Sequence, residues 1–154
     1  MDQHLQKYKV MKFLLEAEEL SKNFYANCAL KFPDHKEFWG ALVQEENNHV
    51  TIIRELSASM ANEEAEYDSN KFNVEELESQ LEGVRKLISE ARGKDLSLKE
   101  ALNVGLKLEE SIMEKYYYLI AKVSTSGMKS FLVSIADSEE KHRKRFMELL
   151  EKIG

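Results

Sequence analysis

The sequence predicts an all-α protein: a four-helix bundle made of two helical hairpins, joined by a long crossover that carries an extra short helix. Three observations predict it. One proline and six glycines in 154 residues leave few points where a helix must stop. Apolar residues recur at three- and four-residue steps along most of the chain, and no stretch reads as a strand. The strongest turn signals, Pro33 and "STSG" at 124–127, divide the repeats into two hairpins. With 43% hydrophobic residues the chain suits one domain over residues 1–154, large enough to bury its own core.

The first helix, about residues 5–31, carries Val10, Leu14, Ala17, Ser21, Phe24 and Cys28 on one face and stops at Pro33. Asp34 followed by Glu37 is a capping-box signal. It opens a second helix with Phe38, Leu42, Glu46, His49, Ile53 and Leu56, running to about residue 59. A turn this short makes the two helices antiparallel.

The acidic stretch "SMANEEAEYDSNKF" that follows reads as loop or frayed helix. Asn73 can then cap the shorter crossover helix, with Val74, Leu77, Leu81, Val84 and Ile88 on one face and Gly93 near its end. Ser97 with Glu100 is a further capping box. It opens a third long helix with Leu102, Leu106, Ile112, Tyr116, Leu119 and Val123 inside. "STSG" breaks that helix, and Phe131, Leu132, Ile135, Glu139, His142, Phe146 and Leu149 define the fourth. Met11, Met113, Met128 and Met147 read as core filler.

Composition narrows the function. A formal net charge of −6 with no basic stripe argues against nucleic acid as a partner. No apolar run reaches the roughly 20 residues of a membrane span, and "MDQHLQKYKV" lacks the apolar stretch of a signal peptide, so a soluble, cytoplasmic protein is expected. A single cysteine, Cys28, excludes an internal disulfide and any paired-cysteine metal site. With Phe24 and Phe32 at helical spacing, it reads as a small buried hydrophobe.

The chemistry lies in acids placed on apolar stripes. Residues three apart in a helix are separated by about 60° around the axis and about 4.5 Å along it, so Glu46 with His49 and Glu139 with His142 can each address one point. Glu18, in line with Leu14, Ser21 and Tyr25, faces inward from the first helix. Glu109, in line with Leu102, Ile112 and Tyr116, does so from the third. The midpoint of residues 18 and 46 is residue 32, and that of 109 and 139 is residue 124: both fall on turns, so in each hairpin the lone acid lies opposite the E-x-x-H pair.

Four buried carboxylates at one level repel one another, and desolvating each costs several kcal/mol. A domain stable by only about 5–15 kcal/mol cannot hold them ionised without counter-charge. Lys and Arg are missing from that inner level, so the cations must come from solution. Two divalent ions supply four positive charges, and two neutral imidazoles complete the shells. Oxygen-rich, thiol-free ligation suits iron or manganese better than copper or a structural zinc.

One Glu from each of two helices plus E-x-x-H from each of the other two resembles the ligand set of ferritin-like di-iron and di-manganese carboxylate bundles. The chain looks like the rubrerythrin branch of that group. "EELSKNFY", residues 18–25, is similar to a first-helix motif in which a ligand Glu is followed seven residues later by an aromatic, and "LEESIMEKYYY", residues 108–118, is its partner. Glu110 also lies seven residues before a tyrosine, Tyr117; Glu109 is preferred for its more apolar face. The lack of further cysteines excludes a rubredoxin-like domain, and the connection from about 60 to 96 is this chain's own.

The resemblance implies a ferritin-like bundle with two iron ions, manganese or a mixed pair being admitted, held by Glu18, Glu46, His49, Glu109, Glu139 and His142. It also implies reaction with peroxide or dioxygen, or oxidation of ferrous iron, with an external electron donor. Tyr25 and Tyr116 are candidate hydrogen-bond partners of the ligand acids or redox-active groups, with plain core aromatics as the alternative. Ser21 and Gly105 either leave room for a small oxidant or simply let helices approach. A non-catalytic iron-binding or sensing bundle is the alternative function, and iron storage would need a closed shell of many chains. A homodimer is compatible with everything above.

Overall fold

The first hairpin is set by the chain's one proline. Helix α1 (Gln3–Lys31) ends just before Phe32, whose backbone (φ −117°, ψ 73°) has left the helical region that a following proline disfavours. Pro33–His35 then form a 3₁₀ turn that runs straight into α2 (Lys36–Met60), the Lys36 N–H donating to the carbonyl of Pro33. Asp34 therefore sits inside that turn, and the expected Asp34–Glu37 capping box is replaced by a continuous turn-to-helix path. The computed structural model describes residues 3–60, 74–110 and 126–154, which hold five α-helices and, among the described residues, no strand.

Helix α3 (Val74–Arg92) is the crossover helix, and it buries Leu77, Leu81, Val84, Ile88 and Ala91 along α1. The Arg85 guanidinium straddles Glu16 of α1 at 2.6 and 2.7 Å, fixing the two helices in register. Asn73, the expected cap, lies outside the described residues. At the start of α4 (Leu98–Glu109) the capping box forms as the sequence predicts: Ser97 Oγ accepts from the Glu100 N–H and the Glu100 carboxylate from the Ser97 N–H, both at 3.1 Å.

The expectation of an unbroken third helix to Val123 does not hold. The α-helix ends at Glu109, and Glu110 takes the φ −85°, ψ 0° geometry common at helix ends. Ile112, Met113, Tyr116, Leu119 and Val123 lie outside the described residues. Helix α5 (Ser126–Ile153) begins inside "STSG", so Ser126 and Gly127 are helical and not part of a break.

Two apolar clusters fill the bundle, one at each end. One joins Val10, Leu14, Ala17, Ile53, Leu77, Leu132 and Ile135; the other joins Phe24, Tyr25, Trp39, Leu42, Ile88, Leu102 and Phe146. In the second, the Trp39 ring lies 5.9 Å from Tyr25 and 5.7 Å from Phe146, centroid to centroid. Cys28 is buried there as expected, and burial pushes its thiol up to about 12. Met11 is core, but Met147 is 48% exposed, because it falls one step round α5 from the buried Phe146.

Gly105 is not room for an oxidant. A methyl group built there would run into the Phe146 ring, so the glycine lets α4 and α5 approach. Gly105→Ala gains roughly 1 kcal/mol of helix propensity and loses about 1–3 kcal/mol to overpacking. A net loss is expected, read as a lower urea midpoint at unchanged slope.

Candidate metal centre

Between the two apolar clusters lies a polar layer. Glu18 comes from α1, Glu46 and His49 from α2, Glu109 from the last residue of α4, and Glu139 and His142 from α5; all six are buried, none more than 8% exposed. The structure thus brings together every residue that the sequence placed on an inward stripe at this level. Glu110 is exposed, so of the two adjacent acids it is Glu109 that joins the layer.

The distances define two overlapping groups. His49 Nδ1 lies 3.4 Å from Glu18 Oε2, 3.6 Å from Glu46 Oε2 and 3.1 Å from Glu139 Oε1. His142 Nδ1 lies 3.1 Å from Glu46 Oε1, 3.4 Å from Glu109 Oε1 and 3.9 Å from Glu139 Oε2. In each group of four, one oxygen or nitrogen per residue falls within 4.8 Å of all the others. Glu46 and Glu139 belong to both groups, and each gives one oxygen to one imidazole and its second oxygen to the other. Glu18 and Glu109 are the private acids of the two sides.

Many of these contacts are close without being hydrogen bonds. Neither Glu46 oxygen, nor Nδ1 of His142, has a hydrogen-bond partner, though all three atoms are fully buried. Orphaned buried acceptors are costly. Donor atoms that converge on a point without bonding one another are what a bound cation requires, and carboxylate oxygen with imidazole nitrogen suits iron or manganese.

Without a cation, protons do the neutralising. Burial alone would lower the His49 pKa, but the hydrogen bond to Glu139 and the close negative charges of Glu46 and Glu139 push it up to about 9. His142 is raised by Glu46 and Glu139, again against burial. Burial first, and then the charges of Glu109 and Glu46, hold Glu139 well above the usual carboxylate range, whereas in Glu46 the two histidines outweigh burial and lower it. Metal uptake must displace these protons.

Two neighbours complete the layer. The Tyr25 hydroxyl donates to Glu109 Oε1 at 2.5 Å, and burial, with the Glu109 charge, keeps that phenol protonated. Tyr116 lies outside the described residues. Glu45 escapes the sequence reading: its carboxylate meets Nε2 of His142 and is held by Arg145 at 3.0 and 3.1 Å. Burial would raise its pKa, but His142 and Arg145 lower it. The available signal was its place directly before Glu46, but nothing local shows that a half-exposed side chain bonds a residue 97 positions away.

On the outer side, an open groove of about 600 Å³ runs between α2 and α5, lined by Glu45, Asn48, His49, Ser134, Ser138 and Lys141 among others. Hence the layer is sealed by aromatics at one end and approached from solvent at His49.

Helices in this order, with two private and two shared carboxylates and an imidazole on each side, define the ferritin-like class of carboxylate bundles. Within it the chain belongs to the Rubrerythrin family, whose family model matches residues 9–150. Neither the search of curated proteins nor that of solved structures gave a match. Among the described residues, no helix is long and apolar enough to cross a membrane.

Proposed function

We propose that the chain binds two iron ions and is a redox protein that reacts with peroxide or dioxygen, drawing electrons from an external donor. The observation that carries this reading is the division of Glu46 and of Glu139 between the two imidazoles, which suits two adjacent ions better than one. Glu18 and His49 would hold one ion, Glu109 and His142 the other, with Glu46 and Glu139 shared between them. When bound, two adjacent irons supply two electrons to a single oxidant.

The chain's own residues do the rest. The Tyr25 hydroxyl holds a proton on Glu109 Oε1 and so fixes that carboxylate's rotamer. Tyr25, Trp39, Phe38 and Phe146 pack edge-to-face and tilted against one another, excluding water behind the layer. The groove at His49 admits a small oxidant from the opposite side. A lone, buried Cys28 cannot build a thiolate electron donor within residues 1–154, and the reading takes its electrons from outside them.

Elemental analysis of purified protein should approach two irons per chain. Stopped-flow mixing of the ferrous-loaded protein with peroxide should then show oxidation at least about tenfold faster than that of free ferrous iron. Full loading with oxidation no faster than free iron would replace this reading with the non-catalytic iron-binding one.

A further inference from the structure

The two E-x-x-H segments correspond position for position: Glu46 with Glu139, His49 with His142, and therefore Glu45 with Ser138, each the residue preceding its motif. The correspondence breaks at that last pair. Glu45 reaches across from α2 to α5 and bonds Nε2 of His142, the ring nitrogen opposite the one that faces the acids, while Arg145 anchors Glu45 from outside. Ser138 offers His49 no carboxylate. Its hydroxyl lies 3.5 Å from His142 instead. His142 is fully enclosed, whereas His49 is 5% exposed and lines the groove.

From this asymmetry we infer that the two ion positions are unequal and that Glu45 makes them so. The Glu109–His142 position is the tight one, and the Glu18–His49 position is the weaker, exchangeable one, reached through the groove. The inference rests on the two-ion reading above.

The physical reason lies in the imidazole. A carboxylate on Nε2 fixes that nitrogen as the one bearing hydrogen, which turns the Nδ1 lone pair toward the acids. It also locks the ring's orientation and raises its basicity as a ligand. Glu45 is thus a positioning residue acting through His142. His49 also presents Nδ1 to the acids, but the residue corresponding to Glu45 on its side is a serine, so no carboxylate reaches it from that position. Its ring is ordered by binding itself, which lowers affinity on that side.

Calorimetric titration of the metal-free protein with Mn²⁺, followed by electron paramagnetic resonance, tests this. Wild type should bind two ions in steps separated by about 10–100-fold in affinity. Glu45→Ala should weaken the tight step by about that factor, leaving the weak step and the helicity unchanged, and Glu45→Gln, which keeps an acceptor oxygen, should recover most of the loss. His49→Ala should abolish the weak step and keep the tight one. Two ions of equal affinity in wild type, equal weakening of both steps in Glu45→Ala, or Glu45→Gln no better than Glu45→Ala would each overturn the inference while leaving the two-ion reading intact. Fewer than two Mn²⁺ per chain in wild type would overturn both.

Discussion

If the chain holds the proposed pair of ions, Glu46→Ala and Glu139→Ala are each expected to abolish binding of both, while Glu18→Ala and Glu109→Ala abolish binding of one. The contrast follows from membership: Glu46 and Glu139 belong to both four-residue groups, and Glu18 and Glu109 to one each. Helicity should be largely kept in all four variants. Removing one buried acid relieves repulsion among those that remain, which offsets part of the lost ligation. Metal per chain by elemental analysis, with far-ultraviolet circular dichroism on the same samples, checks both halves. Two ions retained in Glu46→Ala would exclude a shared carboxylate, and unfolding of both Glu46→Ala and Glu139→Ala would show that these acids are structural first.

The second large effect is a divergence of stability with pH. In the metal-free chain, His49 titrates near 9 in the folded state against 6.5 unfolded. A raised pKa gives stabilisation that is fully present below 6.5 and lost as pH climbs through about 9. Glu139, raised above its ordinary range, acts in the same direction, because the folded state holds a proton that the unfolded state has released. The His49 contribution alone is of order 3 kcal/mol, or roughly 6–12 °C in Tm for a domain of this size. Metal ions compete with those same protons, so the loaded protein should hold or gain stability over the range where the metal-free protein loses it. Thermal melts with and without chelator, from pH 6.5 to 9, should therefore separate progressively. Parallel curves would mean that the histidines are not paired with the acids in solution.

Much of this fold was legible because its signals are local or periodic. The Ser97–Glu100 box spans four residues, and the face of α3 repeats every turn; both formed as read. The level of Glu18 against Glu46 needed only helical rise and the position of the turn at Pro33; Glu109 and Glu139 also meet, although the turn from which their level was reckoned lies outside the described residues. What escaped depends on neighbours distant in sequence. Gly105 read equally as room for an oxidant or as a close helix crossing, and only the ring of Phe146, 41 positions on, decides for the crossing. Glu45 sits off the apolar stripe, and its role exists only because α5 brings His142 within reach. The end of α4 at Glu109 has no glycine or proline to announce it.

The placement of Trp39 has a practical consequence. It is the chain's one tryptophan, wholly shielded from solvent, with its ring against the Tyr25 that bonds Glu109. Its emission therefore arises from a single, dry site one residue removed from the acids, and binding of the proposed paramagnetic ions is expected to quench it. Tryptophan fluorescence would then serve as an optical gauge of occupancy, readable at micromolar concentration without dye or label.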